Sequence, residues 1–226
     1  MLKVELLSHT PDPERTIASA ARLCYSSRDG EQLYKDLSNK EVVKLVKRLR
    51  DMGHLSTFEH ASFTFAISGV SRVLTHQLVR HRIASYSQRS QRYVNETNFE
   101  FITPKTVEKD EKAKKIFDDF MQKAKQTYQK LVEIVPQEDA RYVLPNATET
   151  KIIVTMNARS LLHFFEVRCC NRAQLEIRTL ANKMLKLVRA VAPTVFSSAG
   201  PTCVTKGICN EGSLSCGRIK ELKKKQ

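Results

Sequence analysis

The sequence predicts an α/β fold of the α+β type, in which an antiparallel or mixed sheet packs against long helices in a single domain. Apolar residues alternate with polar ones at residues 2–7, 62–67 and 150–156, a pattern typical of strands with one buried face. Segments of helical periodicity lie between them, the longest at about 108–135. The 226 residues can bury a full core, and 41% of them are hydrophobic, which predicts a soluble globular protein.

The first half of the chain is expected to contain three helices and two strands. A strand at residues 2–7 precedes a helix that begins at the prolines of 11–13 and reaches about residue 23. A second helix is predicted over about 40–52. Ser71 is a favourable N-cap for a third helix, which we expect to reach about Arg82 and to be followed by a loop over 85–92.

The second half is expected to be mainly helical around one strand at 150–156. Asn157 is predicted to cap a helix that ends near Arg168, and a last helix is predicted over about 174–192. The expected core face of the long helix at about 108–135 consists of Ile116, Phe120, Ala124, Tyr128, Leu131 and Val135. We therefore predict one domain at 1–196 and a cysteine-containing tail at 197–226, a loop with a frayed, lysine-rich end.

The segment Arg80–Tyr93, with the sequence RHRIASYSQRSQRY, is the strongest indication of function. It contains four arginines and one histidine but no acidic residue, and the chain as a whole carries a formal charge of +14. Guanidinium groups suit bidentate contacts with phosphate or carboxylate and can stack on flat rings. The segment has no glycine, which excludes a glycine-rich phosphate loop. The pattern predicts that side chains of this segment bind an anionic ligand.

This segment also resembles a known signature. Arg80-His81-Arg82, followed after seven residues by Ser90 and then by Arg92-Tyr93, is similar to the RHR-x7-S signature of the flavin-dependent thymidylate synthases. That family usually has Asn and Glu within the gap, where this chain has Ser87 and Gln88. The resemblance spans roughly residues 15–195.

A second part of the chain strengthens the resemblance. The sequence Asn157-Ala-Arg-Ser-Leu, then Arg168 and Ala173-Gln174, also recurs in the family. The resemblance implies reductive methylation of dUMP to dTMP, with 5,10-methylenetetrahydrofolate as carbon donor. It further implies that FAD, reduced by NADPH, supplies the hydride, and that the protein is a homotetramer with shared active sites.

The resemblance also implies the residues of the site. The substrate dUMP is expected to contact Gln77, Leu78, Val79, Arg80, Gln88, Arg89, Ser90, Gln91, Arg92, Arg141 and Arg168. The cofactor FAD is expected to contact Ser56, Arg80, His81, Arg82, Gln88, Asn157, Arg159 and His163. The catalytic role is assigned to Arg168, which would lie against the uracil and favour its N3 anion. Ser90 is assigned to binding, because the sequence shows no His–Asp partner that would make it a nucleophile.

The excess of basic residues also allows a different class of protein, a polynucleotide-binding module. That class predicts basic residues spread along a groove and interleaved with aromatic ones. Here the arginines are concentrated at 71–95 and 141–178, and the chain has no tryptophan. We therefore favour the enzyme and expect no specific nucleic-acid partner and no membrane association.

The cysteines and the N-terminal segment indicate the cellular environment. The first residues carry charges where a signal peptide needs an apolar core, so we expect a cytoplasmic protein with reduced thiols. Cys203, Cys209 and Cys216 are separated by five and six residues, which is not a recognised zinc spacing. Because no fourth ligand lies nearby in the sequence, we predict no metal.

Overall fold

The computed structural model describes residues 1–223 and has a mixed α/β fold with one antiparallel sheet. The strands are β1 Lys3–His9, β2 Ser62–Ser71, β3 Ser85–Gln88 and β4 Glu149–Asn157. The helices are α1 Pro13–Leu23, α2 Gly30–Asp36, α3 Asn39–Asp51, α4 Arg72–Leu78, α5 Lys105–Glu108, α6 Glu111–Leu131, α7 Gln137–Ala140, α8 Ala158–Arg168, α9 Leu175–Val191, α10 Pro193–Phe196, α11 Thr202–Thr205 and α12 Arg218–Lys223. Short 3-10 turns occur at Ser56–His60, Arg141–Val143 and Gly212–Leu214.

The sheet has the strand order β1-β2-β4-β3. The alternation predicted for β2 is confirmed, because Phe63, Phe65 and Ile67 are buried while the residues between them are partly exposed. The strands expected near residues 2–7 and 150–156 are also present, as β1 and β4. An α/β fold with an antiparallel sheet is therefore confirmed.

The described chain divides into two compact units that interleave along the sequence. The first contains Met1–Lys3, Ile67–Arg80 and Tyr86–Ile153, and the second contains Val4–Ala66, His81–Ser85 and the chain from Val154 onward. In the first unit, a buried cluster of Phe99, Met121 and Ala124 is flanked by partly buried apolar side chains. In the second unit, the rings of Phe63, Phe164, Phe165 and Phe196 pack edge to face, with centroids 5.5–5.9 Å apart.

Polar side chains fix the starts of the predicted helices. The side chain of Ser71 accepts a hydrogen bond from the backbone N–H of Leu74 at 3.1 Å, and that of Asn157 accepts from Ser160 at 2.8 Å. Both N-caps were predicted and are confirmed. Between α1 and α3, the structure contains the short helix α2, which was not predicted.

The segment after Ser71 differs from the prediction. Helix α4 ends at Leu78 rather than near Arg82, and the loop expected over 85–92 contains the strand β3. The Tyr86 hydroxyl donates to the Leu78 carbonyl at 2.8 Å, and the backbone N–H of Arg89 donates to the Lys151 carbonyl at 2.9 Å. These contacts fold the segment back onto β4, so pairing with a distant strand replaces continuation of the helix.

The core face predicted for the long helix α6 is confirmed in part. Ala124 and Tyr128 are buried as predicted, but Ile116 is 71% exposed and Phe120 is 58% exposed. In the first half of the helix the core positions are one residue further along, at the partly buried Phe117 and the buried Met121, because apolar residues occupy neighbouring positions there. The helix also begins later than predicted, because Asp110 caps it separately from α5 and accepts from the Ala113 N–H at 2.9 Å.

The tail is not the loop that was predicted. It contains α11, a 3-10 turn and α12, although the lysines after Lys223, to which the frayed end was assigned, lie outside the described residues. Among residues 1–223, no helix combines the length and the apolar character needed to cross a membrane.

Candidate functional site

The chain between α4 and β3 presents two exposed arginines. Arg80 and Arg82 are both exposed, and within residues 1–223 neither side chain has a hydrogen-bonded or ion-paired partner. His81, between them, is half-buried. Unpaired guanidinium groups on a protein surface are available to phosphate or carboxylate groups of a ligand.

In the first unit, Gln88 is held by two threonine hydroxyls. Its Nε2 donates to Thr75 Oγ1 at 3.0 Å and to Thr150 Oγ1 at 3.2 Å. Leu78 is fully buried, so its side chain belongs to the core of the unit and only its backbone could meet a ligand. Gln77 is partly exposed and is the penultimate residue of α4.

Arg89 lies between two buried carboxylates. Its Nη2 is 3.2 Å from a carboxylate oxygen of Glu96 and 3.3 Å from one of Glu149, and these side chains are only 4% and 7% exposed. The same nitrogen donates to the Glu149 carbonyl at 2.8 Å, and the other carboxylate oxygen of Glu149 accepts from the Gly69 N–H at 2.8 Å. Gly69 has a φ of +66°, and a side chain here would overlap the Met1 carbonyl. Arg89 is therefore fixed within the protein.

Burial shifts the pKa values in this network. Burial is the main cause that raises the pKa of Glu96, with Glu149 adding to the rise, while Arg89 and Arg72 oppose it. Burial and the charge of Arg141 lower the pKa of Arg72. The network therefore combines several cations with two acids that have little contact with water.

A third acidic residue, Glu138, contacts two more of the predicted arginines. Glu138 forms an ion pair with Arg92 at 2.7 Å, and its backbone carbonyl accepts from Arg141 Nε at 3.0 Å. The side chains of Arg92 and Glu138 are about half exposed. Ser90 accepts from the Arg92 N–H at 3.2 Å, and Gln91 is buried.

In the second unit, Arg168 and two histidines come together. Arg168 Nε donates to His81 Nε2 at 3.0 Å, and the His81 ring lies 6.0 Å from that of His163 and 5.0 Å from that of Phe164. Burial, followed by the charges of Arg168 and His163, lowers the pKa of His81 to about 4. His81 is therefore neutral near pH 7 and can accept the hydrogen bond that orients Arg168.

The remaining predicted residues of the second unit lie at the ends of short elements. Arg159, in the first turn of α8, forms an ion pair with Glu59 at 2.6 Å, and both side chains are about half exposed. Asn157 caps the same helix, and Ser56 is exposed at the start of a 3-10 turn. Exposed guanidiniums fit a pyrophosphate, while an amide and a neutral imidazole fit the polar edge of a flavin ring, so this donor set suits FAD.

The sequence did not reveal Glu96, Glu149 or Glu138 as parts of the site. The segment 80–93 contains no acidic residue, but Arg89 and Arg92 are paired with carboxylates from outside it. Glu149 is a buried first residue of β4, a position that could have indicated a partner. Charged residues seldom occupy such positions without a partner.

Exposed arginines occur in each of the two units, which is the geometry of a class of protein suited to anionic ligands. Comparisons with known proteins identify the family. The family model described as "Thymidylate synthase complementing protein" matches residues 5–194. The chain belongs to this family.

Several relatives align with this chain over nearly their whole length. A protein of Geobacter sulfurreducens named flavin-dependent thymidylate synthase is 54% identical over 226 residues, which cover 99% of this chain and 97% of the relative. A protein of the same name from Clostridium tetani is 52% identical, with 99% and 96% covered. One from Pyrococcus furiosus is 43% identical, with 100% and 96% covered.

Proposed function

We propose that this chain is a flavin-dependent thymidylate synthase, which methylates dUMP reductively to dTMP. The carbon donor is 5,10-methylenetetrahydrofolate. FAD supplies the hydride when it is bound and reduced, and NADPH restores the reduced form. Membership of the family over residues 5–194, and the names of its relatives, support this proposal.

The observation that carries the mechanism is the contact between Arg168 and His81. A guanidinium held through its Nε keeps a fixed direction, and a neutral acceptor adds no positive charge beside it. We assign Arg168 to the uracil ring, where a fixed cation next to N3 and O2 stabilises the N3 anion. That anion makes C5 a better nucleophile for the incoming carbon. His81 would act on this step only by positioning Arg168.

The first unit supplies the remaining dUMP contacts of the proposal. The exposed Arg80 and half-exposed Arg92 suit the phosphate, while Gln77 and Gln88 suit the polar atoms of the pyrimidine. We assign Val79, Ser90, Gln91 and Arg141 to dUMP binding as well. Leu78 would contribute through its backbone only, and Arg89 would hold the segment in place for binding.

We assign the proposed FAD-binding residues to parts of the cofactor according to the chemistry of their side chains. The guanidiniums of Arg82 and Arg159 would bind the pyrophosphate, and Arg159 would exchange its surface pair with Glu59 for it. We assign the polar parts of the rings to the remaining predicted residues: Ser56, Arg80, His81, Gln88, Asn157 and His163.

We also propose that the active form is a cytoplasmic homotetramer. Ile116 and Phe120, exposed one turn apart on α6, support an assembly of several chains, because neighbouring exposed apolar side chains can mark an interface. We further propose a catalytic domain at 1–196 with a distinct tail at 197–226, supported by the end of the family match at residue 194. Light scattering of the purified protein would test the tetramer.

The experiment that tests the mechanism compares Arg168→Ala and Arg168→Lys with the wild type. Loss of a fixed cation at a developing charge lowers the rate by about 10²–10³-fold, or about 3–4 kcal/mol. Lysine keeps the charge but not the planar fork, so it should not restore activity. Formation of dTMP and oxidation of the flavin are measured, together with FAD binding as a test of folding.

The matched control is Arg172→Ala, which removes an exposed arginine just beyond the same helix. It should keep nearly full activity. Turnover near that of the wild type in both Arg168 variants would refute the catalytic assignment. If the protein does not bind FAD but binds oligonucleotides with an affinity that falls steeply with salt, the polynucleotide-binding alternative would be favoured instead.

A further inference from the structure

A cavity of about 190 Å³ lies in the second unit, beside the end of α8 and the C-terminal segment. Four cysteines line it: Cys170, Cys203, Cys209 and Cys216. The sequence had shown three cysteines without a fourth ligand, and the fold supplies the fourth from the end of α8. None of the residues that line this cavity was assigned to dUMP or FAD.

The C-terminal segment has almost no core of its own. No residue from Thr202 to Lys223 is buried, and the apolar side chains of Val204, Ile208 and Leu214 are 48%, 57% and 61% exposed. A segment this small cannot be stabilised by apolar burial alone and usually needs a disulfide or a metal. The four cysteines are the groups that could provide one.

Charged side chains of both signs line the cavity beside the cysteines. Two carboxylates also line it, but Glu166 is paired with Lys206 at 3.1 Å, and Arg218 offsets part of the remaining negative charge.

The arrangement suits a cluster better than a single ion. Within residues 1–223, no group of three or more His, Cys, Asp or Glu side chains is arranged to hold one metal ion. The four cysteines instead line one open space of about 190 Å³, and a cubane of iron and sulfide needs such a space between its four cysteine ligands. The backbone N–H of Arg172 donates to Cys170 Sγ at 3.5 Å, and hydrogen bonds to cysteine sulfur are typical of such centres.

We propose that Cys170, Cys203, Cys209 and Cys216 bind a [4Fe–4S] cluster, which fastens the C-terminal segment to the end of α8. Each thiol gives up its proton as its sulfur bonds to one iron, and two ferric ions, two ferrous ions and four inorganic sulfides come from outside the protein. Binding would replace the contact of Cys209 with Ser215 and that of Cys170 with Glu211. This site is independent of the proposed thymidylate reaction.

The test uses the full chain, prepared and reconstituted without oxygen from ferric iron, sulfide and a thiol reductant that reduces part of the iron, and then desalted. Iron and acid-labile sulfide are measured, together with the visible absorption and the electron paramagnetic resonance spectrum after reduction by dithionite. We expect about four iron and four sulfide per chain. Protein that retains neither after desalting would overturn the proposal.

Variants locate the site. Cys203→Ser and the exposed Cys216→Ser should each lose most of the iron and sulfide, whereas Cys24→Ser, an exposed cysteine outside the cavity, should keep them. Circular dichroism checks that each variant is folded. Zinc in place of iron, a mass decrease that reveals disulfides among these cysteines, or an intact cluster in both cavity variants would refute the assignment. Because iron and sulfide are measured without substrates or FAD, failure of the proposed enzymatic function would not alter this result.

Discussion

Replacing Arg89 by methionine should destabilise the protein strongly, because two carboxylates would lose their cation. Arg89 Nη2 lies within 3.3 Å of oxygens from both Glu96 and Glu149, and its own side chain is only 22% exposed. Removing one partner of a buried ion pair costs about 3–5 kcal/mol, since the remaining charge keeps its desolvation penalty. Methionine retains much of the apolar stem, so the loss reports on the charge. Unfolding in urea at pH 8 measures it.

Two further variants separate this explanation from a general effect of substitution. Arg92→Met, three residues away, removes an ion pair with Glu138 whose side chains are 49% and 48% exposed, and should cost less than about 1 kcal/mol. In the double variant Arg89→Met/Glu96→Gln, one of the two unpaired carboxylates becomes neutral. It should therefore be more stable than Arg89→Met alone.

The pH dependence gives an independent check. Burial already raises the pKa of Glu96 above its ordinary value of about 4.5, and Arg89 opposes that rise. Without Arg89, the folded protein would hold the proton of Glu96 to a still higher pH than the unfolded chain does. The cost of the substitution is therefore greatest at high pH and falls as the pH drops toward about 4.5. Equal losses for Arg89→Met and Arg92→Met, or a loss that does not vary with pH, would refute the reasoning.

Three other predictions follow from the contacts. A histidine NMR titration should place the pKa of His81 at about 4. As the pH falls from about 6.5 toward 4, the unfolded chain takes up this proton before the folded protein does, so the free energy of unfolding decreases. Arg168→Gln should raise the pKa of His81, and a normal value in the wild type would contradict the account. Gln88→Glu should keep dTMP formation within about tenfold, or about 1.4 kcal/mol, because Thr150 can turn its hydroxyl toward the carboxylate; complete loss of dUMP binding would contradict this. Arg159→Ala should change the free energy of unfolding by less than about 1 kcal/mol, since its pair with Glu59 is half exposed, yet weaken FAD binding by at least about tenfold; unchanged flavin affinity would remove Arg159 from the site.

Local signals in the sequence were sufficient for helix starts but not for strand pairing. Ser71 and Asn157 could be recognised as N-caps because the partner N–H lies three residues away. The strand β3 could not be recognised, because its four residues contain one strong strand-former, Tyr86, and its pairing depends on β4. The same limit explains why Cys170 was not joined to the cysteines of the tail.

The candidate site shows the difference most clearly, because identical side chains in one motif have different surroundings. The sequence identified the arginines of 80–93 as a group, but their carboxylate partners Glu138 and Glu149 come from distant parts of the chain. Only the folded chain shows that Arg89 is enclosed by acids while Arg80 and Arg82 are not. Composition could indicate an anionic ligand but could not assign each arginine its role.

The arginines of 80–93 differ in how much free energy their contacts within the protein contribute. An exposed pair such as Arg92–Glu138 contributes at most about 1 kcal/mol, so a phosphate can replace the carboxylate at little cost. Separating Arg89 from Glu96 and Glu149 would cost several times more free energy, and the binding of a ligand could not readily offset that cost. We therefore expect Arg92 to contact the phosphate directly and Arg89 to hold β3 and the following residues in place. The distinction is measurable: Arg92→Met should weaken dUMP binding in a protein of nearly normal stability, whereas Arg89→Met should lose stability even without dUMP.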